Sequence, residues 1–164
     1  MTQICHSFCQ QIQNATNGFN PEIALILGSG LGALADKIQN PIIVKYSDIK
    51  DFPQSTVQGH KGQFVCGLLN GKKVICMQGR IHLYEGHKPH DICRIIKTFK
   101  LLGVKKLVVT NAAGSLNPRI KAGSIMMITD HINFTGRNCL IGKNDDRLSF
   151  VPLFLFPILN IYFP

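Results

Sequence analysis

Short apolar segments that each end in a run of small residues constrain the fold of this chain more than any other feature. Residues 22–27 (EIALIL) lead into GSGLG, and residues 106–110 (KLVVT) lead into NAAG. Runs of this length that stay apolar throughout are typical of strands buried on both faces of a parallel sheet. The chain therefore contains central strands, and each leads into a loop that lets other groups approach the backbone closely.

The remaining segments complete an α/β pattern. Further strands are predicted at 42–46, 63–69, 72–77 and 124–129. The dipeptide Asn70-Gly71 predicts a hairpin turn between two of them. Helices are predicted at 31–38 and at 91–102, and the second lies between Pro89 and Gly103. This alternation predicts an α/β domain with a central mixed, largely parallel twisted sheet flanked by helices.

Composition limits the classes of partner. The chain has 164 residues, of which 45% are hydrophobic, so one domain with its own core is expected. The net charge is +9, but the basic residues are scattered and do not alternate with aromatic residues, which argues against nucleic acid. No apolar stretch reaches the roughly 18 residues of a membrane helix. The six cysteines form no CxxC pair, which predicts reduced thiols and a cytoplasmic location.

Four predicted loops carry groups that suit an oxyanion. The glycine loop offers backbone N–H groups and the Ser29 hydroxyl, and His60 lies between glycines. Arg80, His82 and Tyr84 alternate after a strand, so they would share one polar face. The small residues after Thr110 again permit close approach. Since ligands of such sheets gather beyond the carboxyl ends of strands, the combination predicts a phosphate site.

Each motif also has other interpretations. The glycine loop alone fits a tight strand-to-helix turn, or a dinucleotide site built on Gly28, Gly30 and Ala33 with Asp48 as the ribose acid. The segment around Arg80 also fits a solvated edge strand. A metal site would use His82 and three side chains that follow it in the sequence. These four complete no recognised ligand spacing, and we expect no metal. Those four are His82, His87, His90 and Asp91.

Five motifs, in order, resemble the trimeric purine nucleoside phosphorylases that act on inosine, guanosine and, in some members, xanthosine. They are ILGSGLGALAD, FPQSTVQGHKGQFVCG, MQGRIHLYEGH, VVTNAAGSLNP and DHINFTGRN, and the similarity runs from about residue 23 to 147. The resemblance implies an enzyme that cleaves the N-glycosidic bond with phosphate in purine salvage. The products would be the free purine and ribose 1-phosphate, formed through a transition state similar to a ribosyl oxocarbenium ion.

The resemblance also implies residue roles. It assigns phosphate binding to Ser29, His60, Arg80, His82 and Ala112, with His82 also catalytic, and ribose binding to Tyr84. It places no purine-binding residue in this chain and implies no metal or organic cofactor, with inorganic phosphate as co-substrate. Full-length members of the family are homotrimers, and the sequence leaves open whether these 164 residues assemble in the same way.

The resemblance weakens toward the C-terminus. Lys143 replaces a proline of the family, and Leu148 replaces a phenylalanine that a neighbouring subunit offers to the ribose. Residues 1–148 are thus expected to form the N-terminal part of a single phosphorylase domain. Residues 149–164 are expected to form an apolar, proline-rich tail unlike the family, leaving the sheet incomplete at its C-terminal end. The chain would then have little or no activity, and an inactive remnant or partner subunit of a full-length phosphorylase is the alternative.

Overall fold

The computed structural model describes residues 3–55, 61–130 and 132–138, and the backbone of 160–163. Two α-helices and seven strands form the regular structure of these residues. The helices are α1 (Gln3–Ala15) and α2 (Pro89–Leu101), and the strands are β1 (Ile23–Ile26), β2 (Gln39–Lys45), β3 (Gln63–Leu69), β4 (Lys72–Gln78), β5 (Lys106–Ala112), β6 (Met126–Met127) and β7 (Asn160–Phe163). Three 3₁₀ helices connect them, at Gly32–Lys37, Tyr46–Asp48 and Leu83–Glu85.

The strands form one mixed sheet in the order β2-β3-β4-β1-β5-β7-β6. The four strands β4, β1, β5 and β7 run parallel, whereas β2, β3 and β6 pair antiparallel with their neighbours. Ile23 of β1 is in register with Val74 of β4 and with Lys106 of β5. The carboxyl ends of these three central strands therefore meet at one edge of the sheet. The predicted α/β class and mixed sheet are confirmed.

The core lies on both faces of the sheet. On one face α1 and α2 pack together over an aromatic cluster of Phe8, Tyr46, Phe52 and Phe64, whose neighbouring rings are 4.9–5.4 Å apart. On the other face a smaller cluster that includes Leu25 packs against the 3₁₀ helix Gly32–Lys37. Burial of these apolar side chains fixes the central strands, and the strands in turn fix the loops at their ends.

Helix α1 is absent from the elements predicted by the sequence. Its buried residues are Cys5, Phe8, Cys9 and Ile12, which follow the i, i+3, i+4, i+7 spacing of a helical face. The apolar stripe has the correct period but is weak in composition. Two of its four positions are cysteines, and glutamines lie between its members. The helix gains its stability by packing this stripe against the sheet and α2.

Two predicted elements differ from the structure. The helix expected at 31–38 is a 3₁₀ helix at Gly32–Lys37, because Ile38 is already extended and begins the path into β2. The strand expected at 124–129 is reduced to Met126–Met127, the two residues that pair with β7. The hairpin turn is confirmed: Asn70 and Gly71 both have positive φ, at 48° and 73°. Part of the predicted tail joins the sheet, since Asn160–Phe163 pairs with β5.

The described cysteines form no disulfide bonds with one another. Cys5, Cys9, Cys66 and Cys76 are buried, Cys93 is half-buried, and Cys139 lies outside the described residues. Burial raises the pKa of the Cys66 and Cys76 thiols to about 12. Cys66 and Cys76 thus pack as small hydrophobic groups. Within the described residues, no helix is long and apolar enough to cross a membrane.

Candidate active site at the carboxyl edge of the sheet

The glycine loop after β1 is held directly against the end of β5. The Gly28 N–H donates to Oγ1 of Thr110 at 2.8 Å, and the same hydroxyl donates to the Ile26 carbonyl at 3.2 Å. A Cβ at Gly28 would lie 2.3 Å from the Thr110 carbonyl oxygen, a distance that no side chain tolerates. Glycine is therefore required here by the close approach of two backbones. This contact fixes the start of the loop that contains Ser29.

The segment after β4 is fixed from both sides. The buried Tyr46 hydroxyl donates to the Gly79 carbonyl at 2.6 Å, and the Gln78 side-chain amide donates to the Gly32 carbonyl at 2.9 Å. Arg80 follows, and its Nη1 donates to the Thr110 carbonyl at 2.9 Å. Hydrogen bonds therefore join the loops after β1 and β4 to the end of β5. Arg80 is placed where these three strand ends meet.

His82 is oriented by two charged neighbours. Its ring Nδ1 lies 2.8 Å from Oε1 of Glu85, and its Nε2 lies 3.0 Å from Nε of Arg80. An ionised carboxylate can only accept and a guanidinium can only donate, so Nδ1 carries the hydrogen and Nε2 accepts. These two contacts select one tautomer of the ring and fix the guanidinium plane and the imidazole relative to each other.

Tyr84 lies with His82 as predicted, but a turn of the backbone places it there and not the alternation of an extended segment. Its ring stacks on His82 with centroids 4.6 Å apart and planes at 21°, while the ring remains three-quarters exposed. Ile81 is buried on the opposite side, as the alternation predicts. Leu83–Glu85, however, forms a 3₁₀ turn instead of an extended segment, so the alternation ends at His82. The turn brings Tyr84 back over the imidazole.

The structure brings some of the predicted site residues together and not others. The structure brings Arg80, His82 and Tyr84 together. Ser29 follows Gly28 at the same sheet edge, and Ala112 is the last residue of β5; both are exposed. His60, the remaining predicted phosphate ligand, lies outside the described residues.

An open cleft of about 900 Å³ lies over the Arg80 segment. It is lined by Arg80, His82, Tyr84 and His87, and also by Thr135 and Arg137 from the later part of the chain. Among the described residues, its lining includes two arginines and no carboxylate, so the cleft favours an anion. The sequence motifs gave no role to Glu85, Thr135 or Arg137. For Glu85, the i, i+3 spacing from His82 was the one sequence signal that could have indicated that the two side chains form a pair.

The two other ligand classes find little support in the described geometry. A dinucleotide site would need an α-helix after the glycine loop and an acid near it. A 3₁₀ helix follows instead, and Asp48 lies after β2, which β3 and β4 separate from β1. In the described part of the chain, no three His, Cys, Asp or Glu side chains are close enough to share a metal ion.

The chain belongs to the phosphorylase superfamily, whose sequence family matches residues 22–163. Its relatives within that superfamily are purine nucleoside phosphorylases. Purine nucleoside phosphorylase 1 of Bacillus subtilis is 56% identical over 126 residues, which cover 77% of this chain and 46% of that protein. The chain spans about half the length of the curated relatives it matches.

Solved structures agree with this assignment. A purine nucleoside phosphorylase in complex with ribose 1-phosphate superposes with a TM-score of 0.80 at 44% identity, covering 87% of this chain and 53% of that one. The Schistosoma mansoni purine nucleoside phosphorylase in complex with inosine has a TM-score of 0.80 at 41% identity, covering 88% and 51%. The fold of the matched part is thus that of this enzyme class.

Proposed function

We propose that the carboxyl edge of this sheet binds phosphate and ribose, and that the family fold containing it catalyses phosphorolysis of purine ribonucleosides. A phosphate oxygen forms a bond to C1′ of the ribose while the bond from C1′ to the purine nitrogen breaks. The purine leaves with the bonding electrons and takes up a proton, giving free base and ribose 1-phosphate. The observation that carries this proposal is the fixed position of Arg80 between Thr110 and His82, in a cleft whose described lining has no carboxylate.

The arrangement suits phosphate because contacts with His82 and Thr110 hold the Arg80 guanidinium in place before the ligand arrives. The Arg80 guanidinium offers a planar fork to two phosphate oxygens. The Ser29 hydroxyl, the Ala112 backbone N–H and His60 would supply further donors, and Tyr84 would contact the ribose. Phosphate held against C1′ stabilises the positive charge that develops on the ribosyl group. The reaction changes no oxidation state, so it needs no redox cofactor, and inorganic phosphate is the co-substrate.

For the 164-residue chain itself we propose phosphate binding with little or no release of base. No residue of this chain is assigned to the purine, and the chain spans about half of its relatives. Phosphate and ribose would therefore have residues that bind them, while the purine leaving group would have no assigned residue in this chain. Relatives crystallised with ribose 1-phosphate and with inosine support the choice of these two ligand classes.

The first test measures phosphate binding by isothermal titration calorimetry. Arg80→Gln is expected to weaken binding about tenfold, which corresponds to about 1.4 kcal/mol. Arg119→Gln is the matched control, because Arg119 is exposed and does not line the cleft. Equal affinity of the two variants would refute the assignment of Arg80 to phosphate.

The second test follows phosphate-dependent release of hypoxanthine from inosine. We expect none above background from the purified 164-residue chain. A chimera that continues this chain with the unmatched part of the Bacillus subtilis relative is expected to release hypoxanthine only when phosphate is present. A chimera that folds cooperatively and binds phosphate but releases no base would contradict the proposed reaction.

A further inference from the structure

Two glutamine side chains form a hydrogen-bonded pair where β3 begins and β4 ends. Gln63 and Gln78 are opposite each other in the antiparallel register, and Nε2 of Gln63 donates to Oε1 of Gln78 at 2.9 Å. Gln78 is buried, with 4% exposed, so its amide needs partners inside the protein. Its other partner is the carbonyl of Gly32, to which its Nε2 donates at 2.9 Å. The two amides thus connect β3 and β4 to the last residue of the glycine loop.

The orientation of the Gln78 amide follows from what it faces. The Gly32 carbonyl can only accept, so the NH₂ group of Gln78 points toward it and the Gln78 oxygen points toward Gln63. Gln63 meets that oxygen with a donor, its own NH₂ group. Loss of this donor would leave the buried oxygen without its partner and remove the contact that selects the orientation. Gln63 therefore controls a hydrogen bond to the glycine loop that it does not itself make.

The glycine loop depends on the contacts at its two ends. The Gly28 N–H donates to Thr110 at the first residue, and Gly32 accepts the glutamine amide at the last. Between them, Gly30 has a left-handed φ of 84° and open space where a Cβ would lie. A glycine in open space does not fix a conformation by itself, so the position of Ser29 depends on both ends.

The contact at Gly32 also sets the loop relative to Arg80. Gln78 precedes Arg80 by two residues, and the Arg80 guanidinium is held in turn by the Thr110 carbonyl. A shift of the loop end would change the distance between the Ser29 hydroxyl and this guanidinium. Donors that bind one small anion together must be held at a defined separation by the residues behind them.

We propose that Gln63 and Gln78 are positioning residues that set the phosphate affinity of the site by holding the glycine loop at Gly32. Neither side chain belongs to the described lining of the cleft, so both act through the loop, and Gln63 acts through Gln78. The inference rests on the proposed function, because it takes Ser29 and Arg80 as joint phosphate ligands.

The experiment is a double-mutant cycle read by isothermal titration calorimetry with inorganic phosphate. Gln63→Met and Gln78→Met are made singly and together in the 164-residue chain, since methionine keeps an unbranched side chain and adds no charge. Gln11→Met is the matched control: the Gln11 Oε1 accepts the Lys50 N–H at 2.7 Å, so this variant also loses a glutamine hydrogen bond between distant segments. Urea unfolding confirms that each variant is folded during the titration.

Each single variant of the pair is expected to weaken phosphate binding roughly three- to tenfold, the range of one lost hydrogen bond, while the control binds as the wild type does. The double variant is expected to bind no more weakly than Gln78→Met, because Gln63 acts through Gln78. Wild-type affinity in Gln63→Met, or losses that add in the double variant, would overturn the proposal. Should Gln78→Met not fold, Gln63→Met and the control decide alone.

A wild-type chain that binds no phosphate would refute the proposed function, and hydrogen exchange then decides the role of the glutamines. The Leu31 N–H donates to the Gly28 carbonyl at 3.2 Å within the loop, so its exchange rate reports how well the loop is ordered. Exchange of this amide that is at least threefold faster in Gln63→Met than in Gln11→Met would support the proposed positioning. Equal exchange rates in these two variants would contradict it.

Discussion

Glu85 holds His82 at two points: its Oε1 accepts the His82 backbone N–H at 2.9 Å and faces the ring Nδ1 at 2.8 Å. The Glu85 side chain is almost completely buried, with 2% exposed. One carboxylate therefore fixes both the 3₁₀ turn and the tautomer of the imidazole that contacts Arg80. Glu85 is a positioning residue in this arrangement, since it acts on the cleft through His82.

Two replacements of Glu85 should separate the effect of its negative charge from the effect of its hydrogen bonds to His82. Glu85→Ala removes both hydrogen bonds and is expected to lower the free energy of unfolding by about 1.5–3 kcal/mol. It should also weaken phosphate binding, because His82 no longer fixes Arg80. Glu85→Gln keeps an acceptor oxygen and should lose less of both. Urea denaturation and phosphate titration measure the two effects, and wild-type phosphate affinity in Glu85→Ala would show that Glu85 has no positioning role.

The contact between Gly28 and β5 gives a second prediction. Gly28→Ala places a methyl group against the Thr110 carbonyl and is expected to cost about 1–3 kcal/mol of stability. Gly32→Ala is the matched control, since a Cβ there meets no atom within 4 Å and its φ is not left-handed. The control is expected to be neutral or about 0.4–1 kcal/mol more stable. Urea unfolding of the two variants is the measurement, and similar losses would disprove the close-contact explanation.

The Thr110 hydroxyl can be tested independently of its methyl group. Thr110→Val keeps the shape but leaves the buried Gly28 N–H without its acceptor, which is expected to cost about 1–3 kcal/mol. Thr110→Ser retains the hydroxyl and should keep the glycine loop in place. Thermal and urea unfolding compare the pair. A valine variant as stable as the serine variant would mean that the hydrogen bond contributes nothing to the loop.

Alkaline pH should destabilise the fold through its buried thiols. An exposed cysteine ionises with a pKa of about 8.5, whereas burial raises the pKa of Cys66 and Cys76 to about 12. The unfolded chain therefore loses these protons first, so the contribution of the two thiols to the free energy of unfolding is constant below about pH 8.5 and falls as pH rises toward 12. The slope is at most about 1.4 kcal/mol per thiol per pH unit. Urea midpoints at pH 8 and pH 10 should converge in a Cys66→Ala/Cys76→Ala variant, and an unchanged pH slope in that variant would refute the explanation.

The central strands and the proximity of Arg80 and His82 could be predicted because their signals are local. Uninterrupted apolar runs mark β1 and β5, and alternation marks the shared face of Arg80 and His82. Helix α1 was missed because its stripe consists partly of cysteines, although Phe8 and Ile12 follow a helical period. The 3₁₀ turn at Leu83–Glu85 was missed because Glu85 stabilises it through a side-chain contact that composition does not reveal.

The sequence by itself determined the α/β class, the hairpin at Asn70-Gly71 and the set of loops that could hold phosphate, since each depends on residues close together in the chain. Only the tertiary structure decided that Thr110 joins the glycine loop to Arg80, because those contacts cross 82 and 30 residues of sequence. It also decided which apolar residues are buried in the core and which, such as Leu116 and Phe134, are exposed. Burial depends on what the rest of the fold brings near, and a linear pattern does not contain that information.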